Sequence, residues 1–335
     1  MDDMPEAVVQ IEHLTKKFGS FTAVDDINMS IEAGEVYGFL GPNGAGKSTT
    51  IRMLCGLLAP TSGRGLVLGL DLATNGQRLK EKIGYMSQKF SLYPELSVVE
   101  NLNLYSGLYG LRGAEKKRRI DEMVALAGLA GRENELTSSL SGGWRQRLAL
   151  GCSILHRPDI LFLDEPTSGV DPKARLLFWD IIYDLAAGGT TVMVTTHFMD
   201  EAEHCNKVAF IYYGKLIAND SPDRLKKEIP GRLYEISARK PMEMLAQIQA
   251  GEAGPVIDSY FFGDKVHVLV ASDRTIRAEG IFAGSEIAQI EQSMEDVFVY
   301  LVKSHAGDEL GGGRISGVGN MTAASAAGMK KEGTK

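Results

Sequence analysis

Residues 41–48 read Gly-Pro-Asn-Gly-Ala-Gly-Lys-Ser, which has the composition and spacing of a phosphate-binding loop. Gly44 and Gly46 carry no Cβ that would block a phosphate, so successive backbone N–H groups can converge on it. Lys47 supplies a positive charge for the β- and γ-phosphates, and the Ser48 hydroxyl can ligate Mg²⁺. The alternative is a glycine-rich turn that contains a lysine by chance.

The segments on either side of this loop favour phosphate binding over a chance turn. Residues 35–40 are short and apolar, like a buried strand, and residues 49–55 are typical of the first turns of a helix. Strand, glycine loop and helix in this order are the context that a phosphate-binding loop requires. The helix N-terminus adds unpaired N–H donors and a partial positive charge.

A pair of acidic residues follows a second apolar run. Residues 160–163 are continuously apolar, which is typical of a strand buried on both faces of a parallel sheet, and Asp164 and Glu165 come next. Ligands bind at the carboxyl edge of such a sheet, so Asp164 is predicted to face the magnesium ion that Ser48 holds. Glu165 is predicted to polarise water for in-line attack on the γ-phosphate. The alternative is that two acids simply begin a loop.

A second glycine-bearing helix start occurs at Ser141, Gly142 and Gly143. The serine can cap the helix, and the same physics that applies to the first loop predicts a second anion site. This site has no lysine and no magnesium ligand. A dimer in which it closes over the nucleotide of another chain explains the difference, and an ordinary helix start is the alternative.

These features together resemble the ATP-binding subunits of ABC transporters, over about residues 8–223. Residues 41–48 match the Walker A loop, 140–144 the signature loop, 160–165 Walker B, and 168–171 the D-loop. Gln88 matches the Q-loop glutamine, and His197 matches the switch histidine. Phe18 falls where the family places an aromatic residue that stacks on adenine; the alternative is that it packs beneath the loop.

The resemblance implies ATP and Mg²⁺ as cofactors. It assigns catalytic roles to Glu165, His197, Lys47 and Gln88, with Ser48, Gln88 and Asp164 around the metal ion. The implied nucleotide contacts are Phe18, Gly41, Pro42, Asn43, Gly44, Ala45, Gly46, Lys47, Ser48 and Thr49, with Ser141, Gly142 and Gly143 contributed by a second chain.

The chain departs from the family pattern at Trp144, where the signature usually ends in glutamine. Within the family, the runs at 144–150, 197–203 and 294–298 are most similar to ABC-2-type drug exporter ATPases. That similarity implies ABC-2-type membrane permease subunits as partners and either a homodimer or a heterodimer of ATPase subunits. It predicts export of a drug or another hydrophobic, lipid-like compound.

Two other patterns in the sequence resemble functional sites. His197, Asp200, Glu201 and His204 are spaced along one helix face, which mimics a metal site; a solvated first helical turn is the favoured interpretation. Residues 116–119 form a short basic cluster, interpreted as a solvated helix face because aromatic neighbours and further clusters are absent.

Net charge and hydropathy indicate where in the cell the protein is located. The net charge of −7 gives no basic footprint for nucleic acid. No apolar run approaches the roughly 20 residues of a membrane span, and the acidic start is unlike a signal peptide. These features predict a cytoplasmic protein, and the family resemblance places it on the inner face of the cell membrane through its permease.

The predicted fold class is α/β, a P-loop NTPase ABC cassette over residues 1–230. It has a mixed sheet core, a β-rich N-terminal subdomain and a helical subdomain at about 89–157. Residues 231–305 predict a small α+β domain in the ferredoxin-like order β-α-β-β-α-β, with its second helix near Arg274. Residues 306–335 are predicted to be a disordered tail.

Two further functions remain as alternatives. One is a non-transport ABC ATPase that acts on ribosomes or DNA, although the chain lacks a second cassette and a long coiled-coil insertion. The other is a degenerate cassette that binds nucleotide as a regulator, which only Trp144 supports.

Overall fold

A computed structural model of the chain describes residues 7–88 and 92–309, with side chains through residue 305. The chain divides into two compact units between Pro222 and Asp223, within the short helix Pro222–Glu228. The domain boundary predicted near residue 230 lies just after that helix. Of the predicted tail, residues 306–309 continue the last helix, and 310–335 lie outside the described residues.

The first unit combines two sheets with six α-helices among its described residues. Its strands are β1 (Ala7–Phe18), β2 (Phe21–Glu32), β3 (Val36–Leu40), β4 (Ser62–Val67), β5 (Leu70–Asp71), β6 (Ile83–Met86), β7 (Ile160–Asp164), β8 (Thr191–Thr196), β9 (Lys207–Tyr212) and β10 (Lys215–Asp220). Its helices are α1 (Lys47–Leu54), α2 (Gly76–Lys80), α3 (Val98–Leu108), α4 (Gly113–Leu126), α5 (Gly142–Ser153) and α6 (Pro172–Ala187).

The N-terminal sheet is antiparallel, with the strand order β2-β1-β4-β5. Its first two strands form one long hairpin in which Phe18 pairs with Phe21. The β1–β2 ladder has a register shift at the polar pair Asp25 and Asp26, where Asp26 takes a φ of 52°. Polar residues here do not end the strand, because the bulged ladder continues on both sides of them.

The central sheet has the order β10-β9-β3-β8-β7-β6, and only β10 runs antiparallel to its neighbour. This is the mixed sheet that the sequence predicted. Every residue of β3, β7 and β8 is buried, as their continuous apolar character requires. Parallel pairing places Leu40 opposite Thr196 and Asp164 opposite Thr195, so the ends of these strands share one edge.

The helical subdomain contains α3, α4 and α5. Ser97 and Glu100 form a capping box at the start of α3. The basic cluster on α4 is not a fully solvated face, so that interpretation is wrong for Arg119. This side chain is buried and donates to the carbonyl oxygens of Leu155 and Ile154, at 2.7 and 2.6 Å. It thereby satisfies carbonyl groups at the C-terminal end of α5.

The second unit is built on a four-stranded antiparallel sheet with the order β12-β13-β11-β14. After α7 (Pro222–Glu228), its elements are β11 (Arg232–Ser237), α8 (Pro241–Gln249), β12 (Asp258–Phe262), β13 (Lys265–Val270), β14 (Glu286–Ile290) and α9 (Met294–Glu309). The helix predicted near Arg274 is wrong, because only a 3₁₀ turn at Gly280–Phe282 stands between β13 and β14. The ferredoxin-like classification therefore stays a prediction.

A buried polar cluster fixes the start of α9 on this sheet. Asp296 accepts from Tyr260 Oη and contacts His267 Nδ1, both at 2.7 Å, and its other oxygen accepts from the Ser293 hydroxyl. Burial alone would raise the pKa of Asp296, but these hydrogen bonds outweigh it and lower the pKa below its usual value. The cluster explains why an acidic residue is tolerated in the core here.

Candidate active site

The phosphate-binding loop joins β3 to α1, as its flanking segments predicted. Gly46 is the N-cap of α1 at a φ of 115°, and a Cβ there would lie 2.5 Å from the carbonyl oxygen of Ala23. Gly44 also has a positive φ, 82°, but faces open space. Gly46 is therefore required by packing, while Gly44 leaves room beside the loop for a phosphate group.

Lys47 lies beneath the loop with its side chain almost fully buried. Its Nζ donates to the carbonyl oxygens of Gly41 and Pro42, at 2.8 and 3.2 Å, and lies 3.0 Å from Oε1 of Glu165. The loop thus orients the ammonium group with its own backbone. The arrangement provides a fixed positive charge at the N-terminus of α1.

Ser48 and Asp164 meet at the position predicted for a magnesium ion. The Ser48 hydroxyl donates to Oδ1 of Asp164 at 2.9 Å, and the Thr195 hydroxyl donates to the same oxygen at 2.9 Å. Burial raises the pKa of Asp164, which these two hydrogen bonds and the charge of Arg52 oppose. Hard oxygen donors of this kind fit Mg²⁺, and a cation here would compensate the buried carboxylate.

Glu165 is the centre of the site. Its Oε2 accepts from Nε2 of Gln88 at 3.0 Å and lies 3.2 Å from Nδ1 of His197. Its backbone takes a φ of 49°, an uncommon conformation for a non-glycine residue, which its N–H bond to the Thr195 hydroxyl helps to hold. The structure thus brings Lys47, Gln88 and His197 together on one carboxylate.

The charge on Glu165 is set by these partners. Burial alone would raise the pKa of its carboxyl group, but the His197 hydrogen bond and the Lys47 charge outweigh burial and lower the pKa to about 2. Glu165 is therefore a carboxylate at neutral pH. If Glu165 lost the Lys47 contact, its pKa would rise again, because Lys47 and His197 are the two partners that lower it.

The turn after His197 is only partly solvated, so the interpretation as a solvated helical turn is wrong for Glu201. Residues Met199–His204 form a 3₁₀ helix that packs against β3, and Glu201 is 1% exposed. Asp200 and Glu201 both face Arg175 of α6, whereas His204 contacts the Tyr183 hydroxyl at 2.6 Å. The four residues whose spacing mimicked a metal site therefore contact different partners, namely Glu165, Arg175 and Tyr183.

Phe18 lies at the tip of the first hairpin, with 49% of its surface exposed. The ammonium group of Lys16 lies 5.1 Å from the centre of its ring. The alternative that Phe18 packs beneath the loop is therefore wrong. An exposed ring with a neighbouring cation suits stacking on a nucleotide base, so the adenine-stacking role stays a prediction for this residue.

The second glycine-bearing helix start has the predicted cap. Ser141 is exposed, and its side chain accepts from the Trp144 N–H at 3.4 Å at the start of α5. A Cβ on Gly143 would lie 2.8 Å from the Cβ of Ala174 in α6, so this glycine permits close helix packing. The Trp144 ring lies 4.0 Å from the guanidinium of Arg132. Trp144 is thus anchored within the helical subdomain.

Two residues at the site escaped sequence reasoning. Thr195 bonds both Asp164 and the Glu165 backbone, and its signal was a hydroxyl residue at the end of a buried apolar strand. Arg175 packs its guanidinium over the ring of Phe198, next to His197. No sequence signal pairs Arg175 with that segment, because the two are distant in the chain and meet only in the fold.

The fold and site together define a phosphate-loop nucleotide-binding protein. The family model described as "ABC transporter" matches residues 24–168. The Nod factor export ATP-binding protein I of Paraburkholderia xenovorans is 32% identical over 303 residues, which cover 89% of this chain and 98% of that protein. The chain therefore belongs to the family of ABC transporter ATP-binding proteins.

Drug-resistance proteins are also among its relatives. A probable multidrug ABC transporter ATP-binding protein of Escherichia coli is 54% identical over 223 residues, which are 67% of this chain and 39% of that protein. This chain thus spans well under half of that relative. The daunorubicin/doxorubicin resistance ATP-binding protein of Streptomyces peucetius is 37% identical over 257 residues, covering 75% of this chain and 78% of that protein.

Solved structures agree with the assignment. An ABC transporter complex subunit of Clostridium perfringens matches with a TM-score of 0.62 and 29% identity, over 67% of this chain and 92% of that one. A dimeric ATP-binding cassette bound to ADP and Pi matches with a TM-score of 0.58 and 28% identity, over 64% of this chain and 98% of that one. Within the part of this chain that the structure describes, no helix is both long and apolar enough to cross a bilayer.

Proposed function

We propose that this chain is the ATP-hydrolysing subunit of an exporter and drives separate ABC-2-type membrane permease subunits from the cytoplasmic face of the membrane. The observation that carries the proposal is the convergence of Lys47, Gln88 and His197 on the Glu165 carboxylate beside the phosphate loop. A purely regulatory cassette would have no need for a buried carboxylate held by three polar side chains.

The geometry suggests how hydrolysis proceeds. The γ-phosphate of ATP competes with Glu165 for Lys47, because both are anions within reach of one ammonium group. Loss of the Lys47 contact raises the pKa of Glu165 from about 2, which makes the carboxylate a better acceptor for a proton from the attacking water. Ser48, Asp164 and Gln88 would hold Mg²⁺, which neutralises developing charge on the phosphate oxygens when bound.

The site is proposed to be completed by a second chain. Ser141, Gly142 and Gly143 present a capped helix start that has neither lysine nor magnesium ligand, which suits it to the γ-phosphate of a nucleotide held elsewhere. The dimeric relative bound to ADP and Pi supports a two-chain arrangement. The second chain is proposed to be either another copy of this chain or a related ATPase subunit.

The names of the relatives support export as the function that the cassette drives. They include a multidrug transporter protein, a daunorubicin/doxorubicin resistance protein and Nod factor export proteins. Substrate choice is proposed to lie in the permease, because the sites of this cassette are built for phosphate and base.

The proposal is tested by ATP hydrolysis and ATP binding measured on the purified full chain. Glu165→Gln keeps the shape of the side chain but removes the proton acceptor, so turnover should fall by about 100-fold or more while ATP binding persists. Glu12→Gln is the matched control on an exposed strand position and should hydrolyse ATP at the wild-type rate. Near wild-type turnover by Glu165→Gln would remove the basis of the proposal.

A further inference from the structure

Arg175 lies between α6 and the segment that follows His197. It is in the first turn of α6, where its backbone N–H bonds the carbonyl of the N-cap residue Asp171 at 3.0 Å. Its guanidinium carbon is 4.1 Å from the centre of the Phe198 ring, and its Nη1 is 3.2 Å from Oδ2 of Asp200. One side chain therefore joins the start of α6 to the switch-histidine segment.

A buried carboxylate holds Arg175 in this place. Glu201 is 1% exposed, and neither of its carboxylate oxygens has a hydrogen-bond partner among the described residues. The Arg175 Nε lies 3.6 Å from Glu201 Oε1, a charge contact without a hydrogen bond. Asp200 is 73% exposed, so solvent screens its contribution. Glu201 is thus the principal anchor, because its buried charge depends on the guanidinium for compensation.

The contact continues from Phe198 into the active site. The rings of Phe198 and His197 are 4.2 Å apart, and His197 Nδ1 lies 3.2 Å from Oε2 of Glu165. Arg175, Phe198 and His197 therefore form a continuous series of contacts that ends at the carboxylate in the centre of the site. The Phe198 ring thus contacts both the guanidinium of Arg175 and the imidazole of His197.

We propose that Arg175 is a positioning residue for His197: it clamps the Phe198 ring from α6 and so holds the imidazole in line with Glu165. The proposal rests on the proposed function, in which His197 contacts the catalytic carboxylate of Glu165. It also means that the loop 168–171, which leads into α6, is mechanically connected to His197 within one chain. A displacement of that loop would reach the imidazole through Arg175.

The clamp depends on the planar guanidinium rather than on charge alone. Arginine stacks its flat face on an aromatic ring, whereas the lysine ammonium is a compact point charge. Arg175→Lys therefore keeps a cation near Glu201, which protects folding, but weakens the stack on Phe198. Arg118→Lys is the matched control, because Arg118 is 57% exposed on α4, away from His197.

The test is a double-mutant cycle on ATP turnover of the full chain, with slow rates measured by release of labelled phosphate. Arg175→Lys should lower kcat by about 10-fold and leave the KM for ATP within about twofold, while Arg118→Lys changes neither. In the His197→Ala background, Arg175→Lys should cost less than about twofold, because the residue it positions is gone. Thermal unfolding of each variant confirms that the fold is intact.

Two results would overturn the inference. Wild-type kcat in Arg175→Lys shows that the stack does not position the imidazole. If Arg175→Lys lowers kcat by the same factor in the His197→Ala background as in the wild type, Arg175 acts on the fold and not through His197. Failure of the proposed function looks different, since Glu165→Gln and His197→Ala would then both hydrolyse ATP at the wild-type rate.

Discussion

Lys47 Nζ and Glu165 Oε1 are 3.0 Å apart, with the two side chains 3% and 6% exposed. One residue begins α1 and the other follows β7, so the fold brings them together across the carboxyl edge of the central sheet. The lysine that is proposed to bind phosphate is thus paired with the residue proposed to accept a proton. Binding of ATP would exchange one anionic partner of Lys47 for another.

This ion pair makes the stability of the nucleotide-free protein depend on pH. The pKa of Glu165 is lowered from 4.5 to about 2 in the folded protein, so its stabilising contribution is present above pH 4.5 and is lost as pH falls toward 2. Glu165→Gln should be less stable than the wild type at pH 7, by a few kcal/mol at most.

Urea unfolding of both proteins between pH 7 and pH 2 measures this effect. The difference in unfolding free energy between them should shrink by up to ~1.4 kcal/mol per pH unit within the lower part of this range. A difference that stays constant as pH falls would show that the carboxylate is not stabilised by its partners.

The position where the signature departs from its family also makes a prediction. The Trp144 ring stacks on Arg132, which pairs with Glu135 at 3.1 Å. Trp144→Gln should lower the unfolding free energy by about 1–2 kcal/mol, because the cation–π contact and buried ring surface are lost. ATP turnover should stay within about threefold of the wild type, because the Ser141 hydroxyl and backbone N–H groups are proposed to bind the phosphate.

Thermal unfolding and ATP hydrolysis of the same preparation separate these two effects. Trp144→Phe is the control, because it keeps an aromatic face for Arg132 and should recover part of the stability. A 100-fold loss of turnover in Trp144→Gln would contradict the account, since the indole itself would then be part of the site.

The phosphate loop and the acidic pair were predictable because each is encoded locally. The apolar runs ending at Leu40 and Leu163 specify buried parallel strands, and parallel strands bring their carboxyl ends to one edge. The presence of both ends at one site follows from that rule. The sequence also predicted the Ser141 cap, which depends on residues within one turn of each other.

Long polar side chains were harder to place. Arg119 and Glu201 look solvated in sequence, but each is buried because a distant segment packs over it. Arg119 meets carbonyl groups at the end of α5, and Glu201 meets Arg175. Burial of a charge depends on tertiary partners, which periodicity does not reveal. The helix predicted near Arg274 failed for a related reason, since the chain passes between β13 and β14 with only a 3₁₀ turn.

The central claim is that each catalytic site is shared by two chains, with the phosphate loop and Glu165 from one and Ser141 from the other. It is tested most directly by mixing two inactive variants, Glu165→Gln and Ser141→Arg. In a mixed dimer, the phosphate loop of the Ser141→Arg chain faces the intact Ser141 of its partner, so one of the two sites is complete.

ATP turnover is measured for each variant alone and for their equal mixture after exchange of subunits. The account predicts little activity from either variant alone and recovery of about a quarter of wild-type turnover in the mixture, since half of the dimers are mixed and each has one intact site. Activity in the mixture no greater than the mean of the two variants would contradict a shared site.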